Sequence, residues 1–111
     1  MKIILKDLPK VSLNVWYSSK HWSFRKKLKD NYTLIVKSQF KDVLPASGSY
    51  DTEYHFTFKS RPLDASNCVA MVKMIEDIIF ESDGYKVIKS ILITSGKGAE
   101  DMVEIKINKN K

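Results

Sequence analysis

Side chains suited to chemistry cluster first at 62-PLDASN-67, where Asp64 and Ser66 offer oxygen ligands. The apolar-rich stretch that follows predicts a helix from Asp64 to about Phe80, with apolar positions at three- and four-residue steps. At 100° per residue, one narrow stripe of this helix collects Ser66, Ala70, Lys73 and Asp77. The stripe lies away from the Met/Ile positions that should face the core.

The turn after this helix, 81-ESD-83, adds Glu81 and Asp83. A hard cation such as Mg²⁺ binds a few carboxylate oxygens together with water. In phosphodiester cleavage such an ion activates water and neutralises charge on the transferring phosphate, and a nearby lysine such as Lys73 stabilises the same charge. These residue types therefore indicate metal-assisted hydrolysis as one hypothesis.

A purely structural interpretation of the same residues stays open. Asp64 is a preferred helix N-cap, worth about 1 kcal/mol over alanine. Lys73 and Asp77 are spaced as a solvent-exposed i, i+4 pair worth about 0.3–0.5 kcal/mol. Asp83-Gly84 is a common turn dipeptide.

The segment 16-WYSSKHWSFRKKLK-29 interleaves aromatic and basic side chains. Lys and Arg contacts to phosphates give affinity without reading sequence, and aromatic rings stack on unpaired bases. The alternative is that Trp22 and Phe24 anchor a helix in the core while the lysines are solvated. His21 is expected to be a surface or backbone-bonded histidine rather than a metal ligand.

Charge is distributed unevenly along the 111 residues, whose net charge is +6. Residues 1–41 carry ten Lys/Arg against Asp7 and Asp30, a balance of +8, and residues 42–111 carry nine basic against eleven acidic side chains, a balance of −2. A basic N-terminal third of this kind attracts polyanions, of which nucleic acid is the commonest. A lysine-rich surface that is only solvated is the alternative.

Composition and spacing predict a single α+β domain over residues 1–111, with two helices covering one face of a mixed sheet in the order β-α-β-α-β-β. The predicted elements, in chain order, are a strand at 2–6, a helix at 23–40, a strand at 50–60, a helix at 64–80, and strands at 87–95 and 102–107. Residues 8–22 are expected to be irregular, and 96-GKGAED-101 is expected to be a hairpin turn in which Lys97 could touch DNA.

Several classes of protein are disfavoured. The single cysteine, Cys68, excludes an internal disulfide and a multi-cysteine zinc site, and the two histidines are scattered. No apolar run reaches the ~18 residues that span a bilayer, and no signal peptide opens the chain. A cytoplasmic, reducing location is expected.

Taken together, these segments resemble the RusA family of Holliday-junction resolvases, small homodimeric endodeoxyribonucleases of bacteriophages and prophages. The opening 8-LPKVSLN-14 is similar to the family's Leu-Pro-x-x-Ser-x-Asn, and 62-PLDASN-67 to its Asp-x-Asp-Asn helix start. An acidic turn (81-ESD-83) and a closing strand with Val103, Glu104 and Ile105 follow in the family's order. The resemblance covers most of the chain.

The resemblance implies a Mg²⁺-dependent endonuclease, with Mn²⁺ as a substitute ion, that cuts Holliday junctions or other branched DNA as a homodimer during DNA recombination and repair. It assigns Asp64, Ser66 and Asp83 to the metal within an acidic site at 64–83. Catalysis is expected of Asp64, Lys73, Asp77 and Asp83. DNA contacts are expected of Asn14, Lys20, Arg25, Lys26, Lys27, Lys29, Asn67 and Lys97.

Three positions depart from the family pattern. Ser66 and Ser82 stand where the family has aspartate, and Ala70 stands where it has lysine. Glu76, Asp77 or Glu81 are candidates to replace the lost carboxylates. The alternative function is a catalytically inactive protein that binds DNA on the same fold.

Overall fold

A mixed four-stranded sheet and three α-helices make up the computed structural model, which describes residues 1–18 and 22–110. The elements in chain order are β1 (Lys2–Lys6), α1 (Leu13–Ser18), α2 (Trp22–Gln39), β2 (Tyr50–Phe58), α3 (Val69–Ile79), β3 (Ile88–Lys97) and β4 (Met102–Lys109). A 3₁₀ turn, Ala65–Cys68, leads directly into α3. The predicted α+β class is confirmed, and every predicted strand and helix is present.

The strands lie in the order β1-β4-β2-β3, with β2 antiparallel to β4 and parallel to β3. On β2 every second residue is buried, as the alternation in 50-YDTEYHFTF-58 predicts. Tyr54 pairs with Ile105 on one side and with Ile93 on the other, so one face of the sheet is apolar across the centre. The helices cover that face, and the opposite face is polar.

Helix α1 is a departure from the predicted order, because residues 8–22 were expected to be irregular. The hydroxyl of Ser12 accepts a hydrogen bond from the backbone N–H of Val15 at 3.1 Å, which satisfies one of the free donors at the start of α1. Pro9 lies just before it, and its carbonyl accepts a hydrogen bond from the buried hydroxyl of Tyr32 on α2. The chain before α1 is therefore tied to the buried Tyr32 of α2.

The connection between β3 and β4 is not the predicted hairpin turn. The two strands lie on opposite sides of β2, so the chain at 98–101 crosses the end of β2 instead of turning back on its neighbour. In this crossing segment, the backbone N–H of Gly98 donates a hydrogen bond to the carbonyl of Phe58 at 3.0 Å. A β carbon on Gly98 would lie 2.2 Å from the Thr57 methyl group, which leaves no space for a side chain.

Replacing Gly98 with alanine is therefore expected to destabilise the fold by about 1–3 kcal/mol, the usual cost of overpacking. Thr57 is β-branched and stiff, so its methyl cannot move aside without a change of rotamer. Gly96→Ala is the matched control, since nothing lies within 4 Å of its added carbon. Urea denaturation of both variants measures the difference, and equal stabilities would contradict the close crossing.

The core lies between the sheet and the helices. Residues of α3 that are completely or almost completely buried pack against inward-facing residues of the central strands; they are Met71, Val72, Met74, Ile75 and Ile79. Within the part of the chain that the structure describes, no helix is long and apolar enough to cross a membrane.

Candidate functional site

The basic aromatic segment, defined here as α1 together with residues 22–29 of α2, is built around Trp16. The guanidinium of Arg25 lies 5.2 Å from the centre of the Trp16 ring, and the Lys29 ammonium lies 5.7 Å from it. Arg25 Nε also donates to the Trp16 carbonyl at 3.1 Å. These cation–π contacts and the hydrogen bond hold α1 against α2.

Three aromatic side chains of this segment are exposed to solvent. Trp22 is 74% exposed, Tyr17 66% and Phe24 45%. The alternative interpretation, in which Trp22 and Phe24 anchor the helix in the core, is therefore wrong. The core contacts of α2 are made instead by Tyr32 and Val36, which are fully buried.

Most of the cations of the segment lack an acidic partner. Among the residues that the structure describes, Lys26 pairs with Asp30 at 3.0 Å, and Arg25, Lys27 and Lys29 form no ion pair within 4.0 Å. Lys27 and Lys29 are also solvent-exposed. At the start of α2, two exposed rings are therefore followed by cations without a described acidic partner.

The other residues predicted to contact DNA are dispersed. Asn14 is exposed on α1, Asn67 is half-buried in the 3₁₀ turn, and Lys97 is exposed at the end of β3. The prediction for Lys20 falls outside the residues that the structure describes. Contact of these residues with DNA stays a prediction.

Asp64 does not cap α3, which begins five residues later, at Val69. The Asp64 carbonyl accepts the Asn67 N–H at 2.8 Å, and the Asp64 side chain makes no capping hydrogen bond to the 3₁₀ turn. Its carboxylate lies near Cys68. The pKa of the Cys68 thiol is raised, mainly by burial and to a lesser degree by the charge of Asp64. A hydrogen bond with Ser95 opposes this rise.

The predicted polar stripe is not continuous. Ser66 belongs to the 3₁₀ turn, so the 100° spacing of an α-helix does not extend to it. Ala70 is buried, which leaves Lys73 and Asp77 as the exposed members of the stripe on α3. The described ion pairs do not include Lys73–Asp77, although the Lys73 charge acts on Asp77 electrostatically.

Acidic side chains instead gather at the end of α3. Desolvation, followed by the neighbouring Asp83 carboxylate, raises the pKa of Asp77, while Lys29 and Lys73 oppose the rise. Desolvation and then Asp83 also raise the pKa of Glu76, to about 7. The structure thus brings together Lys73, Asp77 and Asp83 among the predicted catalytic residues, and it places Lys29 of the basic aromatic segment beside them.

Glu76 is the residue whose importance the sequence interpretation underestimated. It is 5% exposed, and its Oε2 atom is buried without a hydrogen-bond partner among the described residues. The hydroxyl of Tyr54 is likewise buried and unpartnered, and burial and then the Glu76 charge raise the Tyr54 pKa well above its ordinary value. Glu76 lies four residues after Val72 and three before Ile79, so helical phase alone places it on the buried face.

Glu76 opens into a groove between α3 and β3, called here the acidic groove, with a volume of about 360 Å³. Its walls are largely apolar, and its charged groups are Lys73, Glu76 and Asp83. The lining residues are Val69, Val72, Lys73, Glu76, Asp83, Ile88, Ile91 and Ile93.

The donor set predicted for a metal is not assembled in the described part of the chain. No three His, Cys, Asp or Glu side chains there are arranged to hold a metal ion. Asp64 is not among the charges that act on Glu76 or Asp77, whereas Asp83 acts on both. Ser82 uses its hydroxyl locally, accepting the Gly84 N–H at 3.2 Å. Asp83 therefore acts on the acidic side chains at the end of α3, and the assignment of a metal ion to Asp64, Ser66 and Asp83 stays a prediction.

Comparison of the chain with protein families, with curated proteins and with solved structures finds no match.

Proposed function

We propose that this protein binds nucleic acid through the basic aromatic segment. The observation that carries this function is the exposure of Trp22 and Tyr17 on the same short segment as Lys27 and Lys29, two exposed lysines that form none of the described ion pairs. Burial of apolar surface stabilises a protein or complex by about 25 cal/mol for each Å², and an exposed tryptophan lacks this stabilisation. Stacking on an unpaired base recovers that burial, and lysines beside the ring neutralise phosphates.

Branched DNA is the nucleic acid that best suits this surface. A four-way junction brings phosphates of several strands close together and offers bases whose stacking is interrupted at the crossing. The resemblance to RusA-type resolvases supports the same substrate and a role in DNA recombination or repair in a bacterial host cell, with the protein encoded by a phage or prophage. Exposed rings and cations on one segment can use both features of the junction.

Cleavage is a second candidate, favoured by the position of Lys29 beside Asp77. The Asp77 carboxylate, a group suited to phosphodiester chemistry, therefore lies next to the basic aromatic segment, which is proposed to hold the DNA phosphates. Among the residues that the structure describes, however, no three carboxylates are arranged to hold Mg²⁺, so binding without cleavage is the function proposed first.

The test uses a synthetic four-way junction, a linear duplex of the same sequence and a single strand, each labelled with a fluorophore. Fluorescence anisotropy at several salt concentrations is expected to show salt-sensitive binding, tightest for the junction. Denaturing gels run with EDTA, Mg²⁺ and Mn²⁺ measure cleavage, for which no symmetric nicks are expected. Nicks that require the metal and disappear in Asp83→Asn would establish the nuclease instead. Equal, weak binding to all three DNAs would contradict the proposal.

Replacing Lys27 with alanine is expected to lower the slope of log K against log salt by about one, because each phosphate contact contributes about 0.9 to that slope. Lys106→Ala is the control, since Lys106 is an exposed lysine on β4, away from the basic aromatic segment. The same anisotropy titrations measure both variants. An unchanged slope for Lys27→Ala, or an equal loss for Lys106→Ala, would remove Lys27 from the interface.

A further inference from the structure

The acidic groove combines apolar walls with a carboxylate that lacks a hydrogen-bond donor. Its volume of about 360 Å³ falls within the roughly 300–1,000 Å³ of small-molecule sites. Glu76 lines the groove and is 5% exposed, and its Oε2 atom is buried without a partner among the described residues. The Tyr54 hydroxyl, on which the Glu76 charge acts, is itself unpartnered and does not supply the donor. A buried acceptor without a donor is unfavourable, so the groove favours a ligand that brings N–H groups to Glu76.

The acidic groove also adjoins the basic aromatic segment. Lys29 belongs to that segment, and its charge acts on Asp77. Asp77 in turn shares a side-chain hydrogen bond with Asp83, which lines the groove. The groove therefore lies next to the surface proposed to hold nucleic acid, and the bases of that nucleic acid are the ligands nearest to it.

We propose that the acidic groove binds an unpaired guanine base of the nucleic acid, an inference that rests on the function proposed above. The Watson–Crick edge of guanine carries two adjacent donors, N1–H and the N2 amino group, which match the two oxygens of a carboxylate such as that of Glu76. Its O6 and N7 atoms are acceptors suited to an ammonium group such as that of Lys73. The flat ring suits apolar walls, which in this groove include Val72 of α3 and Ile91 of β3.

Other ligands match the groove less well. Adenine and cytosine each set one amino donor beside a ring nitrogen that accepts, and a carboxylate repels that second atom. Thymine has a single N–H between two carbonyl oxygens. A guanidinium group would also pair with Glu76, but the Lys73 charge in the same groove opposes a cationic ligand. Guanine is neutral and offers paired donors together with separate acceptors, so it fits the charges on both sides.

The base preference is tested with four fluorophore-labelled oligothymidine strands that differ only in one central base: guanine, hypoxanthine, adenine or cytosine. Fluorescence anisotropy is measured at low salt and pH 8, above the Glu76 pKa of about 7. The guanine strand is expected to bind about 5- to 150-fold more tightly than the adenine and cytosine strands, the range of one bidentate contact. Hypoxanthine lacks only the N2 amino group of guanine and should fall between them. Equal affinities for all four strands, or for guanine and hypoxanthine, would overturn the guanine site and leave the proposed function standing.

Glu76→Gln is expected to abolish the preference for guanine, because a glutamine side chain offers one acceptor oxygen in place of two. Glu100→Gln is the matched control, since Glu100 is an exposed glutamate that pairs with Lys6 and does not line the groove. The control should keep the full preference. A guanine preference that survives Glu76→Gln, or that is lost equally in Glu100→Gln, would overturn the assignment of the base to the groove.

Guanosine monophosphate tests the groove separately from the basic aromatic segment. In spectra of ¹⁵N-labelled protein it is expected to shift the amides of Val72, Glu76 and Ile91, whereas adenosine monophosphate is not. If no strand binds, the proposed function fails and these spectra decide the guanine site alone: absent shifts at the groove would overturn it. The free nucleotide should bind less tightly than the guanine strand, which also contacts the basic aromatic segment. Equal affinities would overturn nucleic acid as the source of the base and establish a free guanine nucleotide as the ligand.

Discussion

Glu76→Gln is expected to make the protein more stable at pH 8 and to leave its stability nearly unchanged near pH 4. Burial and the Asp83 charge raise the pKa of Glu76 from 4.5 to about 7 in the folded state. The folded protein therefore binds more protons than the unfolded chain between these values, and stability falls as pH rises through that window. At about 1.4 kcal/mol per pKa unit, the loss amounts to about 3 kcal/mol.

The gain expected from glutamine at pH 8 is smaller, about 1–3 kcal/mol, because the substitution also removes the attraction between Glu76 and Lys73. Some pH dependence should remain in the variant, since the pKa of Asp77 is raised as well. Glu100→Gln is the control: Glu100 is an exposed glutamate that pairs with Lys6 at 3.1 Å, and its replacement should have little effect. Urea denaturation between pH 4 and pH 8 measures all three proteins. A wild type whose stability rises with pH across this range would contradict the buried carboxylate.

Trp22→Ala is expected to weaken binding to a four-way junction by about 5- to 150-fold, the range that corresponds to 1–3 kcal/mol for one stacked base. Protein stability should change little, because the side chain is 74% exposed. The salt dependence should stay the same, since stacking neutralises no phosphate. Loss of affinity with an unchanged salt slope therefore separates stacking from an electrostatic contact.

Leu34→Ala is the matched control for Trp22→Ala. Leu34 lies on the same helix and is 71% exposed, so its removal deletes a comparable apolar surface three turns further along α2. Anisotropy titrations with both variants should show full affinity for Leu34→Ala. Equal losses in the two variants would mean that α2 contributes through its fold, and not through the ring of Trp22.

The elements of the sheet could be predicted from local patterns, and their pairing could not. The alternation in β2 predicts both the strand and its buried face, because apolar, inward-facing residues occupy every second position. The position of β2 between β3 and β4 depends on tertiary packing, so the short connection at 96–101 was interpreted as a hairpin. Helix α1 was missed because its six residues are too few to show a clear period.

The candidate site was predicted in its residue types and not in its arrangement. The helix period was extended back to Asp64, but the chain turns more tightly at 65–68, which separates Ser66 and Asp64 from the α3 stripe. The burial of Glu76 follows from its phase with Val72 and Ile79 and could have been predicted. The exposure of Trp22 depends on how α2 docks against α3 and the Pro9 loop, which no local pattern encodes.

The measurement that tests the central claim most directly is an NMR titration of ¹⁵N-labelled protein with an unlabelled four-way junction. Amide shifts are expected to concentrate in α1 and the first turns of α2, with the indole N–H of Trp22 among the largest. Lys2, Lys6 and Lys106, basic residues of the sheet, should move little. Shifts centred on the sheet, or spread evenly over all lysines, would contradict binding through the basic aromatic segment.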